Sequence, residues 1–253
     1  GIEVFTPPIL EELPEQGREL EPPCKVYREK VTHFHQGFLI NIFFPPETIY
    51  GREALLCLLA LAIKYGLKIL VVSYITPPLT LIETLTRTLG DYGIDHRDAL
   101  EVLGKFMVMR AINPYAYSVV QLSARELMLV DEIKPDIVVF HGVHIARYMA
   151  TEYQKIFREL YNELMYLKSR NISVVRIGSC VDETICNIES SISDTTFRTI
   201  RTFDGDKTGY KIYIFRRYIE PSIVTRSENE SCIVECIETI KSYIAGQQSV
   251  GAS

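Results

Sequence analysis

Residues 38–74 read FLINIFFPPETIYGREALLCLLALAIKYGLKILVVSY, and this stretch decides the class of fold. The run FLINIF at 38–43 predicts a buried strand. Residues 52–65 have the apolar spacing of a helix, and Gly66 is a typical helix end. Residues 68–74 predict a second apolar strand. Apolar strands that alternate with helices indicate a parallel sheet covered on both faces.

The same alternation continues along the chain and then changes. Helices are predicted at 79–89, 117–133 and 147–167, and strands at 106–109, 136–140 and 172–177. After these, two alternating strands at 197–203 and 210–217 flank DGDKTG, which is a hairpin signal. The sequence therefore predicts an α/β fold, with a mainly parallel sheet and an antiparallel hairpin at one edge.

Both ends of the chain differ from this central pattern. Residues 1–35 form an arm that is rich in Pro and Glu over its first 23 positions. Two interpretations of this arm stay open, a disordered tail and a strap that docks on a neighbour. The folded domain is placed at 36–245, with a last short helix at 230–244, and residues 246–253 are predicted to be a flexible tail.

Composition narrows the functional classes. The chain has 253 residues, of which 47% are apolar and 23% charged, and a formal net charge of −5. A binder that uses its whole surface for nucleic acid is normally basic, so this charge argues against one. No apolar run reaches the ~18 residues of a membrane span, and no signal peptide is recognised. The cytoplasm is the default expectation for its location.

The six cysteines do not form a C-x-x-C pair. They stand at 24, 57, 180, 186, 232 and 236. Zinc ligation is conceivable, but paired zinc sites usually show tighter spacing. Because disulfides in the cytosol are found mainly in hyperthermophiles, we expect reduced and mostly buried thiols.

The loop after the first strand is where a ligand would bind in a doubly wound sheet. Here it reads FPPETIYG at 44–51. A phosphate-binding loop reads G-x-x-x-x-G-K-[ST], in which glycines expose backbone N–H groups and the Lys neutralises phosphate charge. This loop carries none of those residues in register.

The order of the elements, with LKILVVSYITPPLTLIETL at 67–85 and KPDIVVFHGVH at 134–144, resembles the RecA/RadA/KaiC group of ATPases. The archaeal KaiC-like branch is the most similar. The resemblance covers roughly residues 37–223. It implies a RecA-like three-layer sandwich that assembles into rings or filaments.

The same resemblance implies that the nucleotide site is vestigial. In the loop, other residues replace the two glycines, the Lys and the hydroxyl, and Glu47 adds negative charge where a phosphate would lie. Ile75 and Thr76 stand where the family has water-activating acids, and His141 stands near the expected magnesium-binding Asp. We therefore expect neither catalysis nor binding of ATP and magnesium. The vestigial site comprises Phe44, Glu47, Thr48, Ile49, Tyr50, Gly51, Ile75, Thr76 and His141.

Other residues carry weaker hypotheses. Arg216 and Arg217 stand where the family reaches across to a neighbour's nucleotide, although solvated arginines on an edge strand are favoured. His141 and His144 suggest a metal pair near Asp136, but surface or satisfied histidines are favoured and no metal is predicted. Asp182 and Glu183 suggest a carboxylate pair, or simply a helix cap.

The first functional hypothesis is a non-catalytic RecA/KaiC-like subunit that assembles with itself or with an active paralogue. The second is a factor of recombination or repair that binds single-stranded nucleic acid through basic and aromatic residues of the predicted hairpin. The third is a residual nucleotide binder or repurposed enzyme that uses His141 and Asp182.

Overall fold

The computed structural model describes residues 17–31, 34–45, 50–142, 153–180 and 182–251, and these ranges form an α/β structure around one large sheet. The strands are β1 Glu19–Leu20, β2 Phe34–His35, β3 Leu39–Phe43, β4 Ile69–Ser73, β5 Met107–Ala111, β6 Ile137–His141, β7 Ser173–Gly178, β8 Thr195–Asp204, β9 Lys207–Arg216 and β10 Ile219–Thr225. The helices are α1 Lys25–Val31, α2 Tyr50–Tyr65, α3 Pro78–Asp91, α4 His96–Phe106, α5 Val119–Ile133, α6 Tyr153–Ser169, α7 Glu183–Ser191 and α8 Arg226–Gly251.

The large sheet has eight strands in the order β10-β9-β8-β3-β7-β6-β4-β5. Strand β9 is antiparallel to both of its neighbours, while the pairs from β8 to β5 are all parallel. The chain enters the middle of the sheet with β3, builds one side through β4 to β7, and crosses to the other side with β8. This confirms the predicted α/β class, the mainly parallel sheet and the antiparallel pair at one edge.

Strand β4 explains why both faces of the sheet are covered. Ile69 and Val71 belong to the apolar core under α2, α3, α4 and α8, whereas Leu70 and Val72 belong to the core under α5 and α6. All four side chains are completely or almost completely buried. Because successive side chains of a strand point to opposite faces, the apolar run at 69–72 is buried only if helices cover both faces of the sheet.

Besides the elements of the arm at 1–35, two α-helices and one strand in the described ranges lie outside the sequence predictions. Helix α4 buries Ala99, Val102, Leu103 and Phe106, which have the i, i+3, i+4, i+7 spacing of an amphipathic helix. Helix α7 follows β7 directly. Strand β10 pairs with β9, so the predicted edge hairpin is one part of a three-stranded antiparallel edge.

The two ends of the chain are more ordered than predicted where the structure describes them. Within the arm predicted at 1–35, β1 pairs with β2, and Leu20 and Val31 are fully buried. The last helix, predicted at 230–244, runs through Arg226–Gly251, so most of the predicted tail at 246–253 is helical. None of the helices that the structure describes is both long and apolar enough to cross a lipid bilayer.

Four of the six cysteines form disulfides, so the expectation of reduced thiols is wrong for these four. Cys24 is bonded to Cys232, and the two residues are 208 positions apart. Cys180 is bonded to Cys186 across the start of α7. The sequence does not reveal these bonds, because the pairing depends on how α8 and α7 pack and not on spacing along the chain.

Candidate functional site at the carboxyl end of the sheet

The central strands end side by side, and backbone hydrogen bonds join the segments that follow them. The N–H of Phe44 donates to the Gly178 carbonyl at 3.0 Å, and the N–H of Gly142 donates to the Ile177 carbonyl at 2.7 Å. The N–H of Tyr74 donates to the His141 carbonyl at 3.2 Å. The ends of β3, β4, β6 and β7 are thereby held at the edge where an open α/β sheet usually binds a ligand.

Most of the predicted vestigial site that the structure describes is gathered at this edge. Residues 47–49, which are Glu47, Thr48 and Ile49, lie outside the described residues. Tyr50 is the first residue of α2, and its side chain is not described.

The imidazole of His141 and the ring of Phe44 lie against Gly51 in the first turn of α2. A Cβ atom on Gly51 would stand 3.2 Å from His141 Nε2 and 3.3 Å from Phe44 Cζ. A bound phosphate needs open space beside the N–H groups of a helix N-terminus. Here an imidazole and an aromatic ring occupy the space beside Gly51.

Ile75 covers the neighbouring part of the edge. Its Cδ1 atom lies 3.2 Å from the point where a Cβ atom on Gly142 would stand, and Gly142 has a φ of +81°. That backbone conformation favours glycine. The hydroxyl of Ser73 donates to the carbonyl of Thr76, so Thr76 contributes a backbone oxygen to this turn. An apolar side chain therefore stands beside the end of β6.

Burial lowers the pKa of His141 from its usual value of 6.5 to about 4. Its Nδ1 atom is buried and has no hydrogen-bond partner among the described residues. The imidazole is therefore neutral near pH 7 and brings no positive charge to offset a phosphate. A neutral imidazole also lacks the negative charge with which an Asp holds the magnesium shell.

Asp182 and Glu183 make local contacts. Asp182 Oδ1 accepts a hydrogen bond from the N–H of Thr184 at 2.9 Å, which confirms the alternative that Asp182 caps a helix. Glu183 Oε2 accepts from Arg198 at 3.2 Å, and this hydrogen bond lowers the pKa of the exposed Glu183 carboxyl. Each carboxylate thus has its own structural partner.

The histidine pair predicted as a weak metal site is only half described. His144 lies outside the described residues. His141 is packed against Gly51 as described above.

The two arginines predicted at the edge of the sheet contact backbone carbonyls of their own chain. Arg216 Nη1 donates to Val31 at 2.7 Å, and Arg217 Nη2 donates to Ser191 at 2.5 Å. Tyr218, which follows them, has a φ of 61° and a fully exposed side chain. This turn therefore combines two positioned guanidinium groups with a projecting aromatic ring.

The basic and aromatic residues of β8 and β9 do not form one uniform stacking surface. The ring of Phe197 packs edge-on against Tyr27 at 5.7 Å and contacts the core, while Phe203 is exposed. Among the arginines, Arg198 pairs with Glu183, and Arg226 pairs with Glu230 at 2.9 Å.

A second feature, which the sequence analysis did not identify, is an apolar cavity of about 140 Å³ between α2, α8 and the sheet. Glu53 lines it, and burial raises the pKa of this carboxyl to about 7. Asn229 joins the polar wall, since its Nδ2 approaches Glu53 Oε2 at 3.5 Å and its Oδ1 accepts from the Tyr27 hydroxyl at 2.9 Å. No sequence motif marks this site, because its residues come from distant parts of the chain.

No protein-family model matches this sequence, and a search of curated proteins finds no significant relative. The fold and the edge described above define the chain as an α/β protein with a mostly parallel central sheet.

Proposed function

We propose that this chain is a RecA/KaiC-like protein that neither binds nor hydrolyses ATP and that acts by assembling with itself or with an active paralogue. The packing of His141 and Phe44 against Gly51 is the observation that supports the loss of ATP binding and hydrolysis. In a working site of this class, the start of that helix receives phosphates and the end of the fourth core strand holds magnesium. Here the two places pack against each other through a neutral imidazole.

The strand arrangement supports the proposed relationship. The first core strand, β3, lies inside the sheet, and strands from later in the chain flank it on both sides. The antiparallel strand β9 extends the sheet beyond β8, where the family resemblance places its edge hairpin.

The outer edge of the sheet supports assembly. In the part of the chain that the structure describes, no strand pairs with the free side of β10. Four apolar side chains of β9, β10 and the turn between them are exposed, and they are Phe215, Tyr218, Ile219 and Ile223. The start of β10 carries Glu220, Pro221 and a register shift, which protect an edge strand against pairing, so the exposed apolar side chains and not the free backbone of β10 support the proposal. We name the turn at 217–219 together with β10 the assembly edge.

Tyr218 is the strongest single element of the assembly edge. A bulky residue with φ of 61° is uncommon, and strained backbone is often retained where it serves a function. Tyrosine is also among the residues that most often dominate protein interfaces. A subunit that receives this ring and the apolar strand beside it would bury the exposed surface.

The test measures the molar mass of the whole chain by light scattering across a concentration series, alone and with intact RecA-like subunits of its own source. We expect association, and we expect Tyr218→Gly and Ile219→Lys to weaken it at least ~10-fold, as removal of an interface anchor does. Val234→Lys, on the exposed face of α8, is the matched control and should leave association unchanged.

Tyr218→Gly separates the interface role from folding. Glycine accepts a positive φ without strain, so this variant should unfold with the same or a slightly higher free energy. A chain that is monomeric in every mixture, or whose association is the same in Tyr218→Gly and Ile219→Lys, would contradict the proposal.

A further inference from the structure

Four cysteine sulfurs meet at one place behind the apolar cavity. Cys57 lies on α2, Cys232 and Cys236 lie one turn apart on α8, and Cys24 precedes α1. The sulfurs of Cys57, Cys232 and Cys236 all lie within 4.8 Å of one another. Cys24 is bonded to Cys232, so its sulfur belongs to the same group. We name these four residues the cysteine cluster.

The helix geometry explains how the cysteine cluster forms. Residues four positions apart lie on the same face of a helix, so Cys232 and Cys236 both face α2. Helix α2 packs along α8 and brings Cys57 to that face. Cys24, Cys232 and Cys236 are buried to 1% exposure or less, and Cys57 is half-buried.

A disulfide between Cys24 and Cys232 does not account for the other two thiols. Cys57 and Cys236 are unbonded, and each lies beside the disulfide. The side chains of Cys57 and Cys236 are hydrogen-bonded to each other. Two unbonded thiols beside the disulfide bring a closely packed set of soft ligands to one point, which a single disulfide does not require.

We propose that the cysteine cluster in its reduced form is a binding site for one Zn²⁺ ion, held by the thiolates of Cys24, Cys57, Cys232 and Cys236. Four thiolates in tetrahedral geometry form a typical closed structural zinc site, with Zn–S distances of about 2.3 Å. Such distances place the sulfurs roughly 3.8 Å apart. The sulfurs of Cys57, Cys232 and Cys236, within 4.8 Å of one another, are close to that separation, and the Cys24 sulfur, once released from Cys232, would complete the set by moving into the fourth position.

Zinc and the disulfide exclude each other, because the bonded sulfurs are not thiolates. Two thiols of a dithiol reductant convert the Cys24–Cys232 disulfide into two thiols and leave the reductant oxidised to a disulfide. Binding of Zn²⁺ then displaces the four thiol protons into solvent. In the disulfide state and in the zinc state, Cys24 ties the segment before α1 to α8. The zinc ion would also bind Cys57 and so tie α2 to the same point.

The experiment starts from the whole chain, reduced with a dithiol under anaerobic conditions and freed of reductant. Zinc is titrated against a chromophoric chelator, and cobalt is used in parallel because tetrahedral thiolate coordination gives intense visible and charge-transfer bands. We expect one equivalent of zinc per chain and the cobalt spectrum of four sulfur ligands. Cys57→Ser and Cys236→Ser should each lower the affinity at least ~100-fold, more than the loss of an outer-shell partner.

Two controls keep the result interpretable. Cys57 and Cys236 are outside both disulfides, so their serine variants should still fold, which circular dichroism checks. The pair Cys180→Ser/Cys186→Ser removes the other disulfide and should leave zinc binding unchanged. The proposal is overturned if the reduced chain takes up no stoichiometric zinc, if Cys57→Ser and Cys236→Ser bind as tightly as the parent, or if iron with sulfide binds in place of zinc.

Discussion

His141 Nε2 lies 3.2 Å from the point where a Cβ atom on Gly51 would stand. This contact joins the carboxyl end of β6 to the first turn of α2. In an active relative of the proposed class, a phosphate and its magnesium ion would separate these two places. Because this distance is short, a residue without a Cβ atom fits best at position 51 in the first turn of α2.

Gly51→Ala should lower the free energy of unfolding by about 1 kcal/mol, because the added methyl group overpacks the contact with His141 and Phe44. Urea unfolding measures this change. Gly104→Ala on α4 is the matched control, since nothing lies within 4 Å of its Cβ position. The control should be more stable by about 0.5–1 kcal/mol, as expected for alanine in a helix.

Combining Gly51→Ala with His141→Ala identifies the cause. We expect the double variant to lose most of the destabilisation, because the imidazole no longer opposes the methyl group. Equal effects of Gly51→Ala in both backgrounds would show that His141 does not fill this space.

The neutral state of His141 predicts a pH dependence of stability. The pKa of His141 is about 4 in the folded chain and 6.5 in the unfolded chain, so the folded state binds fewer protons between pH 4 and pH 6.5. The contribution is fully present above pH 6.5 and is lost as the pH falls towards 4, by about 3 kcal/mol in total. His141→Asn should unfold without this component. Parallel pH profiles of the parent and His141→Asn would contradict the assignment.

Glu53 predicts a pH dependence of the opposite sign. Its folded pKa of about 7 exceeds the usual 4.5, so the folded state binds more protons between these values. Its contribution is present below pH 4.5 and is lost as the pH rises through 7. Because the side chain is partly exposed, we expect on the order of 1–2 kcal/mol.

Glu53→Gln should remove this slope and should be more stable than the parent above pH 7. Chemical unfolding at a series of pH values measures it. Glu238→Gln, an exposed carboxylate on α8, is the control and should retain the parent profile. If the control and Glu53→Gln behave alike, Glu53 is not the group responsible.

The buried ion pair Arg176–Glu189 predicts a strong asymmetry between single and double changes. Arg176 Nη2 lies 3.0 Å from Glu189 Oε1, and both side chains are at most 1% exposed. Glu189→Gln leaves a buried guanidinium without its counter-charge, so we expect a loss of about 3–5 kcal/mol in unfolding free energy. Arg176→Met/Glu189→Leu should lie much closer to the parent. Equal losses in both would show that the charges are not the cause.

The main strands could be predicted because each is an apolar run bounded by turn residues. Helix α4 was not predicted, although its apolar spacing is present. Gly104 interrupts its last turn and strand β5 begins directly after it, so the sequence carries no clear signal for the end of the helix. Strand β10 was missed because Glu220 and Pro221 interrupt its apolar pattern, and its register shifts in this part. Pairing with β9 overrides that local weakness.

The location of the candidate site at the carboxyl edge of the sheet could be predicted from the order of the strands alone, because the carboxyl ends of parallel strands lie at the same edge. The contact of His141 with Gly51 could not, since it depends on side-chain directions. The cavity at Glu53 and the cysteine cluster were also beyond sequence reasoning. Their members lie on elements as far apart as α1 and α8, and only the packing of α8 on α2 brings them together.

A thermal-shift titration of the full chain with ATP and with ADP, each with and without Mg²⁺, tests the loss of the nucleotide site. A site saturated at about 100 times its Kd would stabilise the fold by about 2.7 kcal/mol, or roughly 5–10 °C in Tm for a chain of this size. We predict no shift at millimolar nucleotide in the parent chain. A saturable shift of several degrees that Gly51→Ala abolishes would contradict the proposed loss of nucleotide binding.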